Sequence, residues 1–173
     1  MPALSLLWLA VIGGAAWYLV KSGKQTVTAY KDGSPFQIEV KGIGNGATLR
    51  VDAADAFASM ALNCEIETGQ KLEPSGPRAG FRTQEQQAAL VAEEGSYSQG
   101  GLAAAVGKSP HQQGYAVDLN HCDPGKPSLY NQRLHEWVLA NCAQYGFFNA
   151  GDHYVTKKEP WHYEFRPDLF GVA

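Results

Sequence analysis

The sequence predicts an α+β domain, a small antiparallel sheet with flanking helices, preceded by one N-terminal transmembrane helix. Three observations predict it. Short runs of strand-like composition, at 36–40, 47–51, 115–119 and 161–165, lie between turn-forming segments. Helix start and stop residues bracket longer stretches that repeat their apolar positions at helical spacing. Residues 3–20, ALSLLWLAVIGGAAWYLV, carry no charge.

As a helix, that first stretch reaches about 27 Å at roughly 1.5 Å per residue, close to the hydrocarbon thickness of a bilayer. Trp17 and Tyr18 near its end, followed by Lys21 and Lys24, suit an interfacial aromatic belt with snorkelling lysines. A cleaved signal peptide fits less well, because no charged region precedes the apolar run and no small-x-small site follows it. The expected organisation is an anchor over 1–20, a polar linker over 21–34 and one domain over 35–173. With 173 residues in all, one core is what the chain can build. A net charge of -3 and scattered Lys and Arg provide no basic footprint for nucleic acid. Cys64, Cys122 and Cys142 are an odd set without CxxC spacing, so they read as buried thiols; one disulfide would require an oxidising compartment.

Within the domain, FQIEV (36–40) and ATLRV (47–51) flank a Gly-Ile-Gly-Asn-Gly turn and form a hairpin. Asp52 caps a helix whose Ala53, Ala56, Phe57, Met60 and Ala61 share one side. The Pro/Gly stretch EPSGPRAG ends it. Thr83 with Gln86 three residues on is a capping box, so TQEQQAALVAEE is helical and Arg82 stands at its entrance. Residues 95–108, rich in Gly, Ser and Ala, read as a mobile loop. Ser128 opens a helix through LYNQRLHEWVLANCAQY, closed by Gly146, with Trp137, Val138 and Tyr145 as core.

The chemistry concentrates in two places. In SPHQQGYAVDLNH (109–121), Ser109, Pro110 and Gln112 start one helical turn and Gly114 frees the chain to bend into YAVDL. Alternation there turns Tyr115, Val117 and Leu119 inward and leaves Ala116, Asp118 and Asn120 on the other face. In EPWHYEF (159–165), Trp161, Tyr163 and Phe165 face the core, while His162 and Glu164 share the opposite face. Pro160 bends the start of that strand and swings Glu159 towards His162. His111, Asp118 and His162 make a reasonable ligand set for Zn²⁺, with a fourth position open to water and a nearby glutamate to take its proton. The same residues also admit a plainer reading, two ordinary hydrogen-bonded histidines and a turn-capping aspartate; spacing leaves both open.

Three motifs in order resemble a known family. SPHQQGYAVD matches SxHxxGxAxD, EPWH matches ExxH, and GFRTQEQQ is similar to a glycine-aromatic-arginine-serine motif with glutamine five residues after the arginine. That is the pattern of the zinc D-alanyl-D-alanine peptidases, the VanY-like M15 family that includes phage endolysins, with a hedgehog/DD-peptidase-like fold. The resemblance implies one zinc ion on His111, Asp118 and His162, with Glu159 as catalytic base. It gives Arg82 a substrate carboxylate or the developing oxyanion, with Ser109 and Gln87 lining the site. Periodicity alone would choose Glu164 as base; the family pattern chooses Glu159 and leaves Glu164 as a second partner of the site. Departures are mild: Thr83 replaces the usual serine, and Ala79 stands where a serine often begins the motif.

What the resemblance implies is hydrolysis of peptidoglycan stem peptides, as a D-alanyl-D-alanine carboxypeptidase or a phage-type endopeptidase. The domain would then face the cell wall or periplasm, or sit in a phage virion membrane, although the two lysines after the anchor favour the cytoplasmic side. A wall-binding or structural module without turnover is the rival, and the presence of Glu159 and Arg82 argues against it. His135 and Glu136 lack HExxH spacing and read as a solvated helix face; His121 and His153 read as loop residues; Ser109 lacks the G-x-S-x-G elbow of a nucleophile.

Overall fold

The computed structural model describes residues 23–154 and 157–171. The anchor expected over 1–20 lies outside them, and among the described residues no helix is long and apolar enough to cross a membrane.

The architecture is α+β as expected, with two three-stranded antiparallel sheets instead of one. The first sheet is β1 (Gln25–Lys31), β2 (Ser34–Gly44) and β3 (Ala47–Arg50), in that order. Much of the segment expected to be a linker is therefore a strand: Asp32 and Gly33 turn the chain so that Val27 pairs with Ile38 and Ala29 with Phe36. Its buried Ala29, together with Val40 and Phe81, forms a small apolar cluster that the polar surroundings of 21–34 conceal in the sequence. The second hairpin is present, although β2 runs on through Ile43 and Gly44, so the turn shrinks to Asn45 and Gly46.

Helix α1 (Val51–Thr68) follows β3 directly. Asp52 lies in its first turn, not at its cap, and accepts from the Ala53 amide while pairing with Arg50. The buried side carries Ala53, Phe57, Met60, Ala61 and Cys64, with Ala56 half-buried at its edge. Burying side chains such as Phe57 and Met60 contributes about 1.5–3 kcal/mol each. Helix α2 (Gln84–Glu94) starts on the capping box as the sequence predicts: Thr83 accepts from the Gln86 amide and Gln86 answers from its side chain.

The second sheet comprises β4 (Ala116–Asp118), β5 (Phe147–Phe148) and β6 (His162–Phe165), with β6 in the centre. Between β4 and β5, helix α3 (Gln132–Asn141) begins at Asn131, whose side chain caps the Leu134 amide, and not at Ser128. Its last turn tightens over Cys142–Tyr145 and ends at Gly146. Phe57, Met60, Leu119, Leu134, Val138, Phe147 and Tyr163 fuse α1, α3 and this sheet into the main core, which also buries the thiols of Cys64, Cys122 and Cys142, none in a disulfide. His135, expected on a solvated face, is buried with its ring edge-on to Tyr130, because the face of α3 it occupies turns inward beside Leu134 and Val138. Glu136 remains on the surface, accepting from Gln132.

Candidate metal centre

Strands β4 and β6 create the centre. Their register puts Asp118 opposite His162 and Ala116 opposite Glu164. The Leu119 amide donates to the Trp161 carbonyl at 2.9 Å. Asp118 and His162 therefore occupy the neighbouring pair without mutual backbone bonds, where facing side chains come closest. Asp118 Oδ1 lies 2.9 Å from His162 Nδ1.

His111 arrives from a short helical turn over Pro110–Gln113. Gly114 ends that turn at φ 77, and a Cβ there would stand 2.8 Å from Ile38 Cδ1. Only glycine takes this conformation without strain while letting the chain pass so close to β2. His111 Nδ1 is 2.8 Å from the Gly80 carbonyl, which accepts its proton and leaves Nε2 bare towards the cleft. His111 Nε2 lies 3.2 Å from His162 Nδ1 and 3.4 Å from Asp118 Oδ1. A tetrahedral zinc site with bonds of about 2.0 Å separates its ligand atoms by about 3.3 Å. The three donors thus already stand at the edges of such a site, and two imidazoles plus one carboxylate suit zinc chemically. Among the described residues they are the one His/Cys/Asp/Glu group so convergent.

A second layer of contacts orients these donors. His162 Nε2 faces Glu164 Oε1 at 3.4 Å, and Arg82 Nη2 donates to Asp118 Oδ2 at 2.8 Å. His162 was expected to be presented; it is buried at the bottom of the cleft, with the Tyr154 ring at 5.6 Å. Burial lowers the His111 imidazole to about 4. Burial acts the same way on His162, but its bonds to Asp118 and Glu164 outweigh that and raise it to about 9. Asp118, although desolvated, is held well below the usual carboxylate range by the two imidazoles.

Glu159 lines the same cleft, a cavity of about 1020 Å³ shared with Arg82, Ser109, His111, Asp118 and His162. Its backbone is clamped to Gly151: the Glu159 amide donates to the Gly151 carbonyl at 3.1 Å, and a Cβ on Gly151 would fall 1.8 Å from the Glu159 carbonyl oxygen. This close approach, with the Pro160 bend, brings Glu159 to the cleft that periodicity could not reach. Glu164 instead backs His162 from behind. Burial raises the Glu159 carboxyl above its ordinary value, opposed by His162 and by the Tyr97 hydroxyl, which donates to Oε1 at 3.1 Å.

Gln87 differs from expectation. It is fully buried, with Oε1 3.5 Å from Arg82 Nη1 and its amide donating to the Ala104 carbonyl at 2.7 Å, so it braces the guanidinium and the loop and does not line the cleft. Tyr97 and Tyr154 were not singled out in the sequence. Tyr97 comes from the segment read as a mobile loop, which folds around a bridge between Ser96 and Ala103; no periodicity points its ring towards a residue 62 positions away. His121 bonds the Leu129 carbonyl and His153 stacks on Phe148, both away from the metal cluster.

Known proteins resemble the chain in sequence pattern and in fold. The VanY family profile, D-alanyl-D-alanine carboxypeptidase, matches residues 46–168. No curated protein sequence matches the chain significantly. Among solved structures, VanYB in complex with D-alanine-D-alanine superposes with a TM-score of 0.59 at 22% identity, over 83% of this chain and 86% of that one. A mutant of the vancomycin-resistance D,D-pentapeptidase VanY, from a VanB-type cassette and in complex with Zn(II), gives 0.55 at 22% identity, over 74% and 78%. The LdcB LD-carboxypeptidase gives 0.54 at 25% identity, over 72% of this chain and 62% of that one.

Proposed function

The chain belongs to the VanY family of D-alanyl-D-alanine carboxypeptidases, and from that premise we propose that it is a zinc-dependent peptidase removing the terminal residue of peptidoglycan stem peptides. The observation that carries this reading is the convergence of His111 Nε2, Asp118 Oδ1 and His162 Nδ1 in one cleft with Glu159. Those three atoms would hold the ion. Zinc, when bound there, supplies a Lewis acid for the scissile carbonyl and lowers the pKa of a water towards about 7.

The chain's own residues do the rest. Tyr97 occupies Oε1 of Glu159, which leaves Oε2 to accept the water proton and return it to the leaving amine. Arg82 fixes Asp118 so that Oδ1 faces the imidazoles, and its Nη1, which among the described residues has only the long contact to Gln87, is the donor for the substrate carboxylate. Ser109, on the wall of the same cleft, is a further polar group for the substrate. The wall-side location follows from the substrate, with apolar residues 3–20 as the tether to a membrane.

The test is mass spectrometry of purified muropeptides incubated with zinc-loaded protein and with Glu159→Ala. Loss of one terminal residue, absent in the variant, supports carboxypeptidase action. Cleavage inside the stem would assign endopeptidase action instead, and no product from the parent protein would favour a binding module.

A further inference from the structure

At one part of the cleft an acidic protein gathers positive charge. Lys126 Nζ lies 5.7 Å from the centroid of the Trp161 ring and Lys157 Nζ 5.9 Å from the same ring. All three residues line the cleft that holds the metal cluster, and Trp161 immediately precedes His162. Lys126 is steadied by Asp123 at 3.4 Å, a buried carboxylate that also accepts from the Gly125 amide at 2.9 Å. Among the described residues Lys157 has no carboxylate within ion-pair distance; neighbouring Lys158 donates to the Asp152 carbonyl. An indole face attracts an ammonium group without neutralising it. The ring draws both ammonium groups to one side of the cleft, where Lys157 is open to an anion and Lys126 shares its charge with Asp123, with the indole as an apolar floor beside them.

The rim is built by segments 123–126 and 157–161, and Arg82 and Ser109 reach the same cleft from other segments, so the cleft offers cationic groups beyond the one assigned to the terminal carboxylate. We propose that Trp161, Lys126 and Lys157 form a subsite for a second, free carboxylate on the peptide, that of an acidic residue upstream of the scissile bond. The enzyme would thereby discriminate stems whose acidic residue is free from stems in which it is amidated. This rests on the peptidase reading above and names the substrate class within it.

The experiment compares two synthetic stem pentapeptides ending in D-alanyl-D-alanine, identical except that the acidic residue is free in one and amidated in the other. The zinc-loaded protein turns over the free form with a kcat/KM about fivefold higher, a preference that shrinks in 0.5 M salt. The double variant Lys126→Gln, Lys157→Gln reduces the ratio to about one, and Lys126→Arg, Lys157→Arg restores it. Measurable turnover at equal rates for the two peptides, a preference that survives the glutamine pair, or one lost equally in the arginine pair overturns the subsite. Affinities of the same peptides for zinc-loaded Glu159→Ala read the preference without turnover. A parent protein that binds the free form more tightly yet cleaves neither keeps the subsite and defeats the peptidase reading; equal affinities defeat the subsite alone.

Discussion

Asp118 and His162 face each other across the β4–β6 ladder, with Oδ1 and Nδ1 2.9 Å apart, and the two strands place one candidate ligand each. Backbone pairing, more than any loop, therefore fixes two of the three donors. The third, His111, is tied to the Gly80 carbonyl and so to the segment leading into α2.

The first prediction concerns protons and zinc. His162 is raised to about 9, so below that pH the metal-free protein carries a proton that an ion must displace. Zinc affinity should rise by up to about tenfold per pH unit between pH 6 and 8, flattening near pH 9. Competition with a chelator across that range measures it, and a pH-independent affinity would refute the assignment of His162.

Glu164 supports His162 from the side away from the cleft. Glu164→Gln should weaken zinc binding about 10–100-fold. With zinc in excess, turnover should be largely retained, which separates a supporting role from that of a base. Loss of turnover at full zinc occupancy would return the base to Glu164.

For Glu159, the carboxylate must be unprotonated to accept a proton, and burial raises it above the ordinary value. The rate should fall as pH drops through that raised value. Glu159→Gln should cost about 10²–10⁴-fold in kcat with zinc content unchanged. Tyr97→Phe removes a bond that lowers the Glu159 carboxyl, so the acidic limb of kcat/KM should move to higher pH. His162, Asp118 and Lys157 also act on Glu159, but the Tyr97 variant leaves them in place. An unmoved limb would show that Tyr97 is only packing.

Gly151→Ala forces the Glu159 backbone away, since the added methyl meets its carbonyl oxygen. Displacement of a catalytic group by about 1 Å can cost about 10²-fold. The expected result is a fall in kcat with zinc stoichiometry, read by elemental analysis, unchanged. Loss of zinc would mean the clamp supports the metal cluster as well.

Much of this arrangement is local and therefore legible in order along the chain. Thr83 and Gln86 satisfy amides within one turn, Gly114 supplies a backbone conformation most other residues adopt only with strain, and strand alternation separates Tyr163 from His162 and Glu164. The α+β class follows from the same local signals. Other features depend on which distant segments meet. β1 reads as a polar connector because it gains its burial from Val40 and Phe81, not from its own pattern. The choice between Glu159 and Glu164 depends on Gly151 pressing against a bend, and the orientation of Asp118 depends on a guanidinium 36 residues earlier. Periodicity carries the direction of a side chain relative to its own backbone; only packing between elements decides what lies at its other end.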